Sequence, residues 1–367
     1  MKLEGLKEKL STAISLAEKI TAKSATLPVL KCVLFVAETN NLIIKATNLD
    51  IGIELEVPVK TEEKGEVAVP GSVLNNFINS SLEDKNIRFE TKEGNLKVST
   101  RRHQTLIKAV PHQDFPSIPK VENGQKITFN TKDLIRGFKS VWYSASVSSM
   151  KPELSSVFIY PDHDEVVFVA TDSFRLAEKR LKIKNKKDFS QILIPFKNIP
   201  EIVRVLEQTG EAQVELSLNK NQLSFELPGI RLFSRVVDGI FPDYKQIIPK
   251  ESTSEAVILK QDLINALKIA NIFSNNFNQI SLSLSPKNKL FELSSRNGEV
   301  GESQDKLEAA LKGEDLEISF NYKYINDCFQ SIDADSVQLT FSGPNKPLLI
   351  RGVNDRSFLY LVSPMNK

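Results

Sequence analysis

The 367-residue sequence predicts an α+β protein made of three tandem copies of one domain, each with two helices and about eight antiparallel strands. Three observations predict this class. Ordered landmarks recur with a period of about 126 residues, each copy opens on a helix-period segment, and most of the remainder is short strands with period-two alternation.

The helix-period segments run from Leu6 to Ile20, Leu134 to Ala145 and Leu263 to Phe273. Their anchors Leu6, Leu134 and Leu263 each have an apolar partner four residues on, at Leu10, Phe138 and Leu267, as one helix face requires. On the first helix Leu6, Leu10, Ala13, Ile14 and Ala17 form the apolar face; on the second, Leu134, Phe138, Val141 and Trp142 do. The next landmark is a strand end, at Ala46-Thr47-Asn48, Ala170-Thr171-Asp172 and Ser294-Ser295-Arg296, with both spacings 124. A strand entering a helix follows at Val67–Pro70, Ile192–Pro195 and Ile318–Asn321, because Pro suits a first helical turn and Asn caps one. Leu74, Ile199 and Ile325 each stand four residues later. Phe115-Pro116 and Phe241-Pro242 close the first two copies. Boundaries are expected near 121 and 250, at Pro119-Lys120 and Pro249-Lys250, giving domains 1–121, 122–250 and 251–367. Alternating strands fill segments such as Leu42 to Val57, Val166 to Ala170 and Val214 to Leu227.

The formal net charge is +2, too small for a protein that grips nucleic acid over its whole surface. Residues 1–120 carry 17 Lys/Arg and 15 Asp/Glu, residues 121–250 carry 19 and 16, and residues 251–367 carry 12 and 15. The last third is therefore acidic, either by scatter or because an acidic surface there meets a basic one elsewhere. No apolar run approaches a membrane span, and the start Met1-Lys2-Leu3-Glu4-Gly5 lacks the pattern of a secretory signal. With Cys32 and Cys328 far apart in apolar surroundings, the expectation is free thiols in a reducing cytoplasm.

Catalytic signatures are missing. His103, His112 and His163 have no partner at metal-ligand spacing, Gly94, Gly124, Gly137 and Gly210 are isolated, and no nucleophile elbow occurs. Glu62-Glu63 and Asp162/Asp164 are expected in solvated turns. No metal or cofactor is expected, and a binding protein rather than an enzyme is. Basic residues recur on corresponding helices: Lys9 and Lys19, with Lys23 just after; Arg136 and Lys139; Lys268 at the position matching Lys139; Lys197 and Arg204 on the other middle helix; Lys323 on that of the last copy. Each alone is ordinary solubilising charge, while their recurrence points to a sequence-blind phosphate-facing surface.

Thr26-Leu27-Pro28-Val29-Leu30, Asn48, Ala170-Thr171-Asp172-Ser173-Phe174-Arg175-Leu176-Ala177, Val237-Asp238-Gly239-Ile240-Phe241-Pro242-Asp243-Tyr244 and Val362-Ser363-Pro364-Met365 resemble the bacterial replicative sliding clamp, the beta subunit of DNA polymerase III. The resemblance spans the whole chain. It implies a head-to-tail homodimer forming a six-domain ring around duplex DNA, helices lining the hole. Its implied partners are DNA bound without sequence preference, the replicative polymerase, a clamp loader and other proteins carrying a clamp-binding motif. It also implies one peptide-docking cleft per subunit, between domains two and three, matched here by Leu154, Thr171, Ser173, Phe174, Arg175, Leu176, Pro242, Ile247, Asn321, Tyr324, Val362, Ser363, Pro364 and Met365. Lys151 joins Lys9, Lys19, Lys23, Arg136, Lys139, Lys197, Arg204 and Lys268 as DNA-facing. Ring closure is implied between Leu106 and Ile107 on one side and Ile272 and Phe273 on the other, with Arg101 and Arg102 facing Glu299 and Glu302. Three departures bear on the cleft. Ser173-Phe174 replace the family's Gly then His or Tyr, Gln246 stands where Arg is common, and the tail reads Ser363-Pro364-Met365 where Met-Pro-Met is frequent. Two alternatives stand beside the clamp: a tandem-repeat protein-binding adaptor that does not encircle DNA, and a hydrolase with a scattered site.

Overall fold

The computed structural model describes residues 1–23, 26–80, 85–119, 121, 124–183 and 189–365; the Lys120 end of the expected first linker and the Asn366-Lys367 end of the tail lie outside them. The first third carries β1 (Lys2–Leu6), α1 (Lys7–Ile20), β2 (Cys32–Glu38), β3 (Asn41–Thr47), β4 (Ile51–Pro58), β5 (Lys60–Glu63), β6 (Gly65–Pro70), α2 (Gly71–Ser80), β7 (Asn86–Lys92), β8 (Asn95–Ser99) and β9 (Gln104–Ile107). The middle third carries β10 (Gln125–Asn130), α3 (Thr131–Val141), β11 (Ser156–Asp162), β12 (Glu165–Thr171), β13 (Arg175–Lys182), β14 (Ile192–Pro195), α4 (Ile199–Thr209), β15 (Gln213–Leu218), β16 (Gln222–Leu227) and β17 (Ile230–Arg235). The last third carries β18 (Ser254–Leu259), α5 (Lys260–Ile272), β19 (Gln279–Ser285), β20 (Leu290–Asn297), β21 (Gly301–Leu307), β22 (Ala309–Gly313), β23 (Leu316–Asn321), α6 (Tyr322–Asp327), β24 (Ser336–Phe341), β25 (Leu348–Gly352) and β26 (Phe358–Val362).

The chain forms two compact units. The first contains Met1–Lys132 and Lys197–Val236, with a five-stranded sheet β5-β1-β7-β8-β9 and an eight-stranded sheet β10-β15-β16-β17-β4-β3-β2-β6. The second contains Asp133–Phe196 and Val237–Lys367, with a nine-stranded sheet β14-β11-β12-β13-β26-β25-β24-β18-β22 and a four-stranded sheet β21-β20-β19-β23. This division does not follow the expected boundaries near 121 and 250. The reason is hydrogen bonding. β17 pairs antiparallel with β4, and β13 with β26, so each half of the middle third is sewn into a sheet with one neighbour.

The helices bury the stripes that their periodicity predicts. Leu10, Ala13, Ile14, Ala17 and Ile20 of α1 are buried, as are Leu134, Phe138 and Val141 on α3 and Leu263 and Leu267 on α5. Each such Leu, Ile, Val or Phe side chain contributes roughly 1.5–3 kcal/mol, and the alanines less. One expected anchor stands outside its helix. Leu6 ends β1 and is half exposed, and α1 starts at Lys7, so the residues that open the three helices in step are Leu10, Leu134 and Leu263. A face that repeats every four residues looks the same after a slip of one turn, which is why periodicity alone chose Leu6. Gly137 lets α3 lie on its sheet: a Cβ there would sit 2.6 Å from the Phe168 ring, which packs edge-on against Phe138 at 5.6 Å. Leu74, Ile199 and Ile325 are buried, and the Asn321 side chain caps α6 by accepting from the Lys323 amide at 2.9 Å. Glu62-Glu63 lie in strand β5 rather than in a turn, with Glu62 held by Lys2 at 2.8 Å and Arg88 at 3.1 Å. Cys32 and Cys328 are buried free thiols, and burial pushes the Cys32 pKa up to about 11. Among the described residues no helix is long and apolar enough to cross a membrane.

Candidate functional site

All the residues expected to share a cleft lie in the second unit. Their centre is the turn from β12 to β13. The Thr171 hydroxyl donates to the Arg175 carbonyl at 2.7 Å and accepts from the Ser173 amide at 3.1 Å. Asp172 Oδ1 accepts from the amides of Phe174 and Arg175 at 2.9 and 3.0 Å, an Asx turn that shapes the loop from within. Ser173 pays for it with a left-handed φ of 78°, where glycine has the lower conformational cost. A serine therefore holds the left-handed position of this turn, where the resemblance led us to expect glycine.

Arg175 ties this turn to α6. Its Nε donates to Asp172 at 3.0 Å, its Nη1 to Asp327 at 2.5 Å, and its guanidinium lies 4.7 Å from the Tyr324 ring centre. Burial works to lower its pKa, and Tyr360, Asp327 and Asp172 outweigh that, leaving it raised. Phe174 is 60% exposed and stacks on Tyr324 with centroids 6.4 Å apart. The tail completes the arrangement. β26 pairs with β13 so that Val362 faces Arg175, the Ser363 amide donates to the Phe174 carbonyl at 2.8 Å, and the Met365 amide donates to the Ser319 carbonyl at 2.8 Å.

Leu154, Thr171, Leu176 and Val362 are buried and frame the site, while Phe174 and Ile247 are exposed, with Pro242 exposed and Tyr324, Pro364 and Met365 half-buried. Leu176 belongs to one apolar cluster with Phe158, Val167, Val169, Leu193, Phe241 and Tyr244. Apolar walls around a fixed arginine and a few backbone groups suit an extended peptide with apolar anchors better than a reacting small molecule. Among the described residues no cluster of His, Cys, Asp and Glu could hold a metal.

Family models cover nearly the whole chain: the N-terminal domain of the DNA polymerase III beta subunit matches residues 1–119, its central domain 128–243 and its C-terminal domain 245–366. The chain belongs to the DNA polymerase III beta-subunit family. Similar relatives include the beta sliding clamps of Staphylococcus epidermidis, 27% identical over 95% of this chain and 94% of the relative, and Synechococcus elongatus, 26% identical over 100% and 99%. Among solved structures, the Thermotoga maritima DNA polymerase III beta subunit has a TM-score of 0.94 at 26% identity, covering 100% of this chain and 99% of its own. A Pseudomonas aeruginosa sliding clamp bound to griselimycin has a TM-score of 0.93 at 26% identity, covering 100% of both chains. As a beta subunit, the chain is a sliding-clamp processivity factor of three tandem domains and not an enzyme. The hydrolase alternative falls away.

The other residues singled out for a beta subunit are spread over both units. Lys9 and Lys19 are exposed on α1, Lys23 just beyond it, Arg136 and Lys139 on α3, Lys268 on α5, and Lys151 in a turn. Lys197 sits in the 3-10 turn before α4 rather than on that helix, because Pro200 sets the helix start one turn later. Arg136 is paired with Asp333 at 2.5 Å and Arg204 with Glu201 at 2.5 Å, both at least partly open to solvent. At the expected closing surfaces, Leu106 is 49% and Ile272 64% exposed, whereas Ile107 is buried within its own unit. Alternation along β9 sends Leu106 and Ile107 to opposite faces, so only the first is available to a partner. Phe273 is half-buried against Gly301, and Arg101, Arg102, Glu299 and Glu302 are exposed.

Three residues that touch this arrangement have no signal in the sequence. Asp327 anchors Arg175 from 152 residues away. Phe277 is 71% exposed and its carbonyl accepts from the Asn321 side chain at 3.2 Å. Tyr360 donates its hydroxyl to the Tyr324 carbonyl at 2.8 Å. An exposed phenylalanine has no periodic signature, and a carboxylate on a short helix looks like any other surface acid.

Proposed function

We propose that this sliding clamp closes as a head-to-tail homodimer around duplex DNA in the cytoplasm, is placed there by a clamp loader, and holds the replicative polymerase and other motif-bearing partners in the cleft. Its domains are residues 1–121, 122–250 and 251–367. Lys9, Lys19, Lys23, Arg136, Lys139, Lys151, Lys197, Arg204 and Lys268 supply phosphate contacts that carry no sequence information. The cleft takes an extended peptide whose apolar ends anchor it, as few contacts dominate most interfaces.

The observation that carries ring closure is a joint used twice within the chain. Gly52 of β4 faces Phe233 of β17, and Leu176 of β13 faces Leu361 of β26. The turn before each joint is the same to the hydrogen bond: Thr47 and Asn48 repeat the contacts of Thr171 and Asp172, and Leu49 has φ 79° beside Ser173 at 78°. The Arg235 amide donates to the Asp50 carbonyl at 2.9 Å as the Ser363 amide does to Phe174. One strand of each kind remains at a sheet edge, β9 and β21. Thr47 faces Gly52, Thr171 faces Leu176, and at the matching place Ser295 faces Ser303. Ser224 faces Phe233 as Lys97 faces Leu106. A third joint, between subunits, therefore sets Leu106 of one copy opposite Ser303 of the other. Two such joints close a ring, since heterologous contacts that return to their start end a series.

The test is topological. Clamp assembled by a loader on nicked circular DNA should stay bound through a high-salt wash and leave when the circle is cut. Retention on linear DNA equal to that on circles would instead favour an adaptor that does not encircle.

A further inference from the structure

We propose that Glu178 is a positioning residue for the partner-peptide cleft, holding the wall from Pro242 to Ile247 in place through the hydroxyl of Tyr244. The proposal rests on the cleft assignment above. Glu178 lies on β13 two residues beyond Leu176 and on the same face, buried between the cross-strand neighbours Val169 and Leu359. A carboxylate on so apolar a carpet needs partners, because an unpaired buried charge is far costlier than a paired one. The Tyr244 hydroxyl donates to Glu178 Oε2, and Arg180 Nε donates to Oε1 at 2.7 Å. The Tyr160 and Tyr244 hydroxyls lie 2.7 Å apart. Arg180 is braced in turn by Asp162 at 3.0 Å and Glu165 at 3.3 Å, and Lys245 lies 5.5 Å from the Tyr160 ring centre. Burial first, then the Glu178 charge, drives the Tyr244 pKa far up, so this phenol stays a donor.

Tyr244 opens the 3-10 turn Tyr244–Ile247 and packs edge-on against Phe241 at 6.2 Å. Pro242 and Ile247, the exposed wall of the cleft, flank it in sequence. Fixing the Tyr244 hydroxyl thus fixes where that wall stands relative to Leu176 on β13 and Phe174 in the turn before it. The first unit shows what happens without this task. Glu54 occupies the matching position on β4, two residues beyond Gly52, and is bonded to Lys45 at 3.0 Å and Arg231 at 3.2 Å. Val36 and Ile118 stand there in place of Tyr160 and Tyr244. The carboxylate recurs, but the tyrosine strut is confined to the joint that carries the cleft.

The experiment titrates a fluorescein-labelled extended pentapeptide with an N-terminal Gln and a C-terminal Leu-Phe into the full-length protein and its Glu178→Leu, Glu178→Gln, Tyr244→Phe and Glu178→Leu/Tyr244→Phe variants, with thermal melts in parallel. Glu178→Leu and Tyr244→Phe should each weaken binding about tenfold, and the pair little more than either alone, because one strut is broken in all three. Glu178→Gln, whose amide oxygen still accepts from Tyr244, should stay within about threefold of wild type. Tyr244→Phe removes one oxygen and serves if Glu178→Leu does not fold. Unchanged affinity in Tyr244→Phe, or melting points that fall while affinity holds, would overturn the proposal by reducing the network to a stability device. Loss of binding by the wild type, or its survival when residues 363–367 are deleted, would instead remove the cleft assignment itself.

Discussion

Phe174, which we propose lies at the entrance of the cleft, has 60% of its surface exposed, stacks on Tyr324 and offers no side-chain hydrogen bond. Its backbone does the structural work: the carbonyl receives the Ser363 amide and the amide is held by Asp172. Substituting the side chain leaves those bonds intact. Phe174→His should therefore shift affinity for an apolar-anchored peptide by about fivefold while changing stability by less than about 0.5 kcal/mol, as exposed substitutions do. Fluorescence anisotropy against peptides with apolar and with acidic flanks, alongside chemical denaturation, checks both halves. An equal affinity for every peptide in both proteins would show that Phe174 has no part in selection.

Ser363 to Met365 of the tail are neither strand nor helix. The tail's course is set by two backbone bonds, one to Phe174 on the β12–β13 turn and one to Ser319 on β23. It follows β26, whose ladder to β13 ends at Val362, so truncation after that residue leaves the nine-stranded sheet whole. Deleting residues 363–367 should thus reduce peptide affinity at least about tenfold, through loss of the Met365 and Pro364 wall, and leave solution mass and melting point nearly unchanged. A deletion that lowers the melting point sharply would mean that the tail is part of the core.

At the scale of the whole molecule, the repeat predicts a third joint and its register. Light scattering at micromolar concentration should report about twice 41.2 kDa. Cysteines placed at Leu106 and Ser303 in one chain should link two subunits on mild oxidation, because directly opposed residues of an antiparallel ladder have Cα atoms about 4.5–5.5 Å apart, within disulfide reach. Moving the second cysteine to Asp305 should not, since that position shifts by two residues along the strand. The native thiols Cys32 and Cys328 are buried and offer little background. Efficient linking through Asp305 rather than Ser303 would show the inferred register to be wrong.

The sequence by itself determined the class, the repeat and the local elements: hydrophobic periods of 3.6 and two report which face is buried whatever lies across it, and the turn residues Thr171 and Asp172 act within four positions of themselves. The family resemblance proposed the cleft residues, though not their geometry. Only the tertiary structure decided which strands of different repeats share a sheet, that Leu6 leaves the helix face, that Ile107 turns inward while Leu106 stays outside, and that Asp327, Phe277 and Glu178 belong to the neighbourhood of the cleft. Those facts depend on pairings between residues far apart in the chain, such as Arg175 with Asp327 or Glu178 with Tyr244. A charged or aromatic side chain carries no periodic mark of its distant partner, so its role appears only when folding brings the two within hydrogen-bond range.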